Sequence, residues 1–277
     1  YEQFLQEIKL ENNDYINNIV KNNPNYRYIT TFYDIFEEKY TSIPIKIINL
    51  LTHSNGLSSG NSKNEALVQG ICEIFERYCY KELLFNEYNL PTITIENIES
   101  FNVYEQIKLL KEYGLNYEIK DCSLGGRYPV VGIIIYDKSK SNYLFSIGAD
   151  LDFNIALQRC ITEILQGISI DGINNKMNKI NNNYDFYKKK HGKDFLIMNW
   201  LKCYASNSGI HPKSFFNTDL KVNLNQLPFS NDIKDNNHAL NILLDILKRN
   251  KLKIYIKDYS YLGFDTYKTY IPTLSEI

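Results

Sequence analysis

The 277-residue chain has room for one large or two modest domains, and it can bury a sizeable core without disulfides or metals to hold it together. Lys plus Arg number 31 and Asp plus Glu 32, a net charge of -1, which excludes the overall basic field of a protein that lives on nucleic acid or an anionic membrane. With 44% hydrophobic and 23% charged residues, the composition is that of a folded globular protein. Cys72, Cys79, Cys122, Cys160 and Cys203 are odd in number, widely spaced and without a C-x-x-C pair, so they read as reduced, buried thiols. No run approaches the roughly 18 apolar residues of a spanning helix. Nor does a basic stretch followed by an apolar core open the chain, so the cytoplasm is the expected compartment. The first residue is Tyr1, not Met, which points to a cut upstream.

The first forty residues alternate Asn-rich and aromatic stretches and suggest short helices and loops. The apolar run from Ile43 to Leu51 reads as a buried strand or packed connector, broken by the polar segment THSNGLSSGNS. A helix follows, capped by Ser62 with Glu65 closing a capping box, and continues to about Leu84. A second helix spans Val103 to Glu112. Three strands then form a meander, NYEIKDC, PVVGIIIYD and YLFSIGA. Asp152 caps a helix from Phe153 to about Ile168, closed by Gly167 and the Asp171-Gly172 turn. The segment from about 174 to 195 is polar and basic and reads as a mobile surface insertion. An aromatic stretch around Trp200, a polar loop to Asn236, a helix over His238 to Asn250 and strands at KIYIKDY and Tyr267 to Ile271 complete an α+β order.

On a wheel of about 100° per residue, Glu65, Gln69, Glu73 and Glu76 of the Ser62 helix fall in an arc of roughly 80°, with Arg77 at its edge. Leu67, Ile71, Ile74, Phe75 and Tyr78 occupy the opposite side. A solvated polar face would look similar, but Glu73 and Glu76 are like charges one turn apart with only Arg77 to neutralise either, an arrangement that a cation relieves. Arg159, Glu163 and Gln166 make a matching stripe, within roughly 60°, on the Phe153 helix. Carboxylate and amide oxygens without His or Cys suit Mg²⁺ rather than zinc, copper or iron. Mg²⁺ held by few carboxylates keeps water and phosphate as its other ligands, so a nucleotide is its natural companion, with Arg77 and Arg159 placed for the phosphates. The Gly/Ser-rich loop before the first helix supplies further donors, although a plain cap has the same look.

These residues also carry a resemblance. SNGLSSGN followed by EALVQGICEIFERY, with GAD-x-x-F-x-x-AL-x-R-x-x-TEILQG downstream, DCSLGGRYPVV, IKDYSYLG and the terminal IPTLSEI, resembles the YcaO family of ATP-dependent enzymes that activate backbone amide oxygens by phosphorylation. Within it, the likeness is to the ribosomal protein S12 methylthiotransferase accessory type rather than to ring-forming peptide cyclodehydratases, whose proline-rich tail this sequence lacks. The resemblance implies a fold of antiparallel and mixed sheets packed on helices that line a nucleotide cleft. It also implies ATP and Mg²⁺ as cofactors, a homodimer, and a peptide or protein substrate, S12 being one candidate, with a methylthiotransferase as possible partner. Position by position, Ser58, Asn61, Glu65, Arg77, Arg159 and Gln166 fall where the family binds nucleotide, and Glu73, Glu76 and Glu163 where it binds the metal. Two departures stand out. Asp150-Leu151 replaces His-Pro, and the family's upstream Gly-rich loop and Glu-x-x-Glu-Arg helix have no counterpart before Ile43, so 1–42 reads as the remainder of an upstream repeat and 43–277 as the catalytic core.

No general base is identifiable. His53, His191, His211 and His238 read as capping, loop or helix-start residues, and Trp200 as core. The alternative function is a non-catalytic YcaO-like scaffold subunit for a modifying enzyme. Retention of all three stripe glutamates argues against it, because a surface released from metal binding readily acquires Lys.

Overall fold

A computed structural model of the chain describes residues 14–140, 142–166, 172–173, 177, 183–206, 209–216, 219–230 and 232–276. In chain order its main elements begin with α1 (Asp14–Asn22), β1 (Ile29–Asp34), β2 (Lys39–Pro44), α2 (Ile45–Thr52), β3 (Leu57–Gly60) and α3 (Lys63–Asn86). They continue with β4 (Thr92–Thr94), α4 (Tyr104–Glu112), β5 (Asn116–Asp121), β6 (Val130–Tyr136), β7 (Tyr143–Ala149) and α5 (Phe153–Leu165). The last are α6 (Tyr184–Ser206), β8 (Lys221–Asn223), α7 (Asn236–Arg249), β9 (Tyr255–Asp258) and β10 (Asp265–Tyr270). The fold is α+β. The chain forms two compact units, Tyr1–Tyr78 with Ile233–Ile277, and Cys79–Asp232, so that the boundary falls within α3.

The first unit holds a sheet in the order β2-β1-β9-β10-β3, every neighbouring pair antiparallel. Phe32, Ile43, Tyr255 and Tyr270 point from it into a core with Ile16 and Val20 of α1 and Ile47 and Ile48 of α2. The β1–β2 hairpin stands where short helices and loops were expected. Its Thr and Tyr side chains are tolerated on either face of a strand, so burial alternates in β1 although the hydropathy hardly does. The run from Ile43 to Leu51 is no single strand. Pro44 ends β2 and stands at the N-cap of α2, which buries Ile47, Ile48 and Thr52 at helical spacing. Residue 42 lies inside β2.

The second unit holds β7-β6-β5-β4-β8, antiparallel except for the parallel β4–β8 pair, with α5 packed across β6 and β7. β6 and β7 are buried nearly throughout, which explains their mostly apolar sequence. The Asp152 side chain accepts the Asn154 amide at 2.8 Å and so caps α5 as the sequence indicated. Gly167 and Asp171, expected to close that helix, lie outside the described residues, as do 174–176 and 178–182 of the polar insertion. From Tyr184 the chain is helical, kinked at Gly192, and the Tyr184 hydroxyl donates to the Leu84 carbonyl at 2.9 Å. The five cysteines are buried and in no disulfide, and Trp200 is core. His211 lies outside helix and strand, as the sequence reading had it, but is buried, enclosed by Tyr80, Phe145 and Phe215.

Lys120 of β5 has no exposed side-chain surface, and its ammonium lies 2.8 Å from Glu118 and 2.9 Å from the Thr92 hydroxyl of β4. Burial pushes the Glu118 carboxyl up, but hydrogen bonding and charge from Lys120, then from Lys140, outweigh it and hold the pKa below its ordinary value. Lys120→Met would strand the carboxylate with Lys140 as its remaining cation and is expected to cost about 2–3 kcal/mol. Urea denaturation checks this, and Glu118→Gln added to Lys120→Met should recover part of the loss.

Candidate functional site

Ser58, Asn61 and Glu65 are brought together where β3 runs into α3. The Ser62 hydroxyl accepts the Glu65 amide at 3.3 Å, half of the expected capping box. The other half is displaced by one residue. The Glu65 carboxylate accepts the Asn61 amide at 3.0 Å and the Asn61 carboxamide at 3.2 and 3.3 Å, a position at the helix N-terminus that favours its negative charge. With its Nδ2 turned to Glu65, Asn61 keeps its carboxamide oxygen as an acceptor, suited to a ribose hydroxyl or a cation. Ser58 donates its hydroxyl to the Ala66 carbonyl at 2.6 Å, which ties strand to helix.

That close approach depends on Gly70, where a Cβ would stand 2.7 Å from the Ser58 hydroxyl and 3.1 Å from that of Thr269. Along the same helix Glu73, Glu76 and Arg77 are half-buried, as Glu65 is, whereas Gln69 is exposed. Four of the five stripe positions are thus half-buried. Leu67, Ile71, Ile74 and Phe75 opposite it are fully buried, in agreement with the wheel.

Arg159 and Glu163 belong to α5 of the second unit, and Gln166 follows it. Glu163 and Gln166 are exposed, and Gln166 is the C-cap rather than a helical position, so it leaves the stripe that the wheel assigned to it. Arg159 is one-third exposed and pairs with Asp150 at 3.7 Å. Burial raises the Asp150 carboxyl above its ordinary value, and the Asp152 amide and Arg159 offset this only in part. Asp150, at the position where the sequence departs from His-Pro, thus supplies a counter-charge to a candidate phosphate ligand.

Lys268 of β10 escaped the sequence reading. Its ammonium is buried and donates to the carbonyls of His53 at 2.9 Å and Asn55 at 2.7 Å. Burial lowers its pKa to about 8, against the pull of the Glu73 carboxylate. Strand alternation in DTYKTY, which sets Lys268 on one face with Thr266 and Tyr270, was the available signal.

The donors are carboxylate, carboxamide and hydroxyl oxygens, with neither imidazole nor thiolate among them, which suits Mg²⁺. Among the described residues no three His, Cys, Asp or Glu groups are placed to hold a metal ion. Also among the described residues, no helix is long and apolar enough to cross a membrane.

The family model for the YcaO cyclodehydratases, described as ATP- and Mg²⁺-binding, matches residues 20–275. The chain belongs to the YcaO family. It is 30% identical over 239 residues to the ribosomal protein S12 methylthiotransferase accessory factor YcaO of Escherichia coli strain K12, covering 85% of this chain and 38% of that protein. A Haemophilus influenzae protein is 28% identical over 242 residues, with 87% and 39% covered, so this YcaO chain spans about two fifths of these curated relatives. YcaO from Methanopyrus kandleri bound with AMPPCP and Mg²⁺ shares the fold at a TM-score of 0.60 and 15% identity, over 90% of this chain and 65% of that one. The heterocyclase TruD does so at 0.61 and 17%, over 89% and 34%.

Proposed function

We propose that this YcaO chain is part of an ATP- and Mg²⁺-dependent protein that activates a peptide backbone amide oxygen by phosphorylation, or that assists methylthiolation of ribosomal protein S12. The observation that carries the reading is the half-buried stripe of Glu65, Glu73, Glu76 and Arg77 on α3. A helix face meant only for water would be exposed and interspersed with Lys. The ATP and Mg²⁺ of the family's description, and the AMPPCP and Mg²⁺ bound by the Methanopyrus protein, support it.

In this reading Glu73 and Glu76 of the first unit are metal ligands, Arg77 is a phosphate ligand, and Ser58, Asn61 and Glu65 orient the nucleotide; on the second unit Glu163 is assigned to metal, Arg159 to phosphate and Gln166 to the nucleotide. When bound, Mg²⁺ would neutralise charge on the transferring phosphoryl group. Arg159 reaches a phosphate by exchanging its pairing with Asp150. A peptide or protein substrate, a methylthiotransferase partner and a homodimer belong to the same proposal.

Calorimetric titration of Mg²⁺·AMPPCP into this chain and into the full gene product tests it. Glu76→Gln is expected to weaken binding at least 30-fold without moving the melting temperature, and unchanged affinity overturns the assignment. Binding by neither protein would favour the scaffold subunit instead.

A further inference from the structure

The segment from His53 to Gly60 is fastened along its length by a single strand. β10 pairs with β3 from Lys268 opposite Leu57 to Asp265 opposite Gly60, and the Ser59 and Thr266 hydroxyls lie 2.8 Å apart. Just before the ladder, the Thr269 amide donates to the Gly56 carbonyl at 2.7 Å. Earlier still, where no ladder reaches, the Lys268 side chain takes over and gathers the carbonyls of His53 and Asn55 on one ammonium. The chain must turn sharply to present both carbonyls to one point, and His53 accordingly sits at φ +46°. The Asn55 carboxamide anchors the same turn to the Ser275 carbonyl at 3.0 Å.

Two neutral carbonyls do not by themselves call for a full charge, and lysines are almost never fully buried unless paired. An ammonium at 3% exposure is costly unless its charge is used, and the carboxylate that acts on it is Glu73 of the polar stripe. Lys268 fixes the backbone that leads into Ser58 and Asn61.

We infer that Lys268 is a positioning residue for nucleotide binding, holding the His53–Gly56 turn so that Ser58 and Asn61 are pre-set against α3. The inference rests on the nucleotide reading above. Pre-ordering of this kind acts by sparing the ligand the cost of ordering the loop.

The test uses the full gene product, with Mg²⁺·AMPPCP as probe and calorimetry as readout. Lys268→Met is expected to weaken binding at least tenfold, and Lys268→Arg, which restores charge and donors, to return it to within threefold of the parent. Hydrogen exchange of 53–61 should quicken at least tenfold in Lys268→Met while α7, in the same unit, keeps its protection. If Lys268→Met does not fold, Lys268→Gln replaces it with the same expected loss. An affinity within threefold of the parent in the uncharged variant, no rescue by arginine, or unchanged exchange at 53–61 each overturns the inference while leaving the nucleotide reading in place. Failure of the parent protein to bind the probe overturns both.

Discussion

Gly148→Ala is expected to cost about 4 kcal/mol or to prevent folding of the second unit, more than an ordinary overpacked core position. Gly148 lies in β7 opposite Val131 of β6, and a Cβ there would run into the Ala156 carbonyl of α5, with Arg159 Cβ and Cys160 Sγ each 3.1 Å away. The obstacle is backbone, so no rotamer change can relieve it. The first turns of α5 would have to lift from the sheet, breaking the contact of the Cys160 thiol with the Val131 carbonyl at 3.4 Å and opening the layer of Ala156, Leu157 and Ile161. Arg159 and Glu163 ride on that helix. The same methyl group that lowers the urea midpoint should therefore weaken Mg²⁺·AMPPCP binding in whatever fraction still folds. Gly126→Ala serves as a control, since its Cβ would meet no atom within 4 Å although its φ of +79° carries some strain. A Gly148→Ala protein within about 1 kcal/mol of the parent would mean that α5 is not seated against β7 in this way.

What the sequence disclosed about the site was its local part. The α3 stripe follows from helical periodicity over one uninterrupted segment, and the Asp152 cap of α5 from one side chain and the next turn. The same holds for the β5–β7 meander, where apolar runs are long and the turns between them short. Features that failed to show are those whose meaning lies in a distant partner. β3 is a strand only because β10, some two hundred residues later, supplies its ladder; Leu-Ser-Ser-Gly alone has no strand signal. Lys268 looked like one more strand lysine until the carbonyls of His53 and Asn55 stood beside it. Asp150 was visible as a departure, but its pairing with Arg159 needed the turn from β7 into α5. The basic run near Lys188 concealed a helix, because lysines extend freely from a helix and contribute nothing to its apolar period. The likeness to the YcaO family reached across these gaps, since a motif records the distant partner together with the local residues.

Stability should fall as pH is lowered from about 6.5 to about 3, and His211 is expected to account for a distinct part of the loss. Enclosure in the core lowers its pKa from 6.5 to about 3, so the ring remains neutral in the folded protein while the unfolded chain takes up a proton. Across that window the unfolded state binds more protons, and linkage then requires stability to decrease as pH falls. Above pH 6.5 the ring is neutral in both states and contributes no slope. The full shift corresponds to on the order of 5 kcal/mol, large beside the usual net stability of a domain. The structure shows why the ring cannot accept the proton in place. Tyr80 stacks on it with an interplanar angle of 8° and its hydroxyl lies 2.6 Å from Nε2, while Phe145 and Phe215 close the remaining sides. The Tyr143 hydroxyl, hydrogen-bonded to the His211 carbonyl at 2.5 Å, fixes the backbone and prevents the ring from turning toward water. Urea denaturation at half-unit steps between pH 7 and pH 3, on the parent and on His211→Gln, isolates this contribution, because the carboxylates that also titrate there are common to both proteins. The parent is expected to lose stability more steeply, the two curves converging toward the acid end. Parallel curves would show that His211 is already protonated in the fold and that its enclosure by Tyr80 is looser than the geometry states.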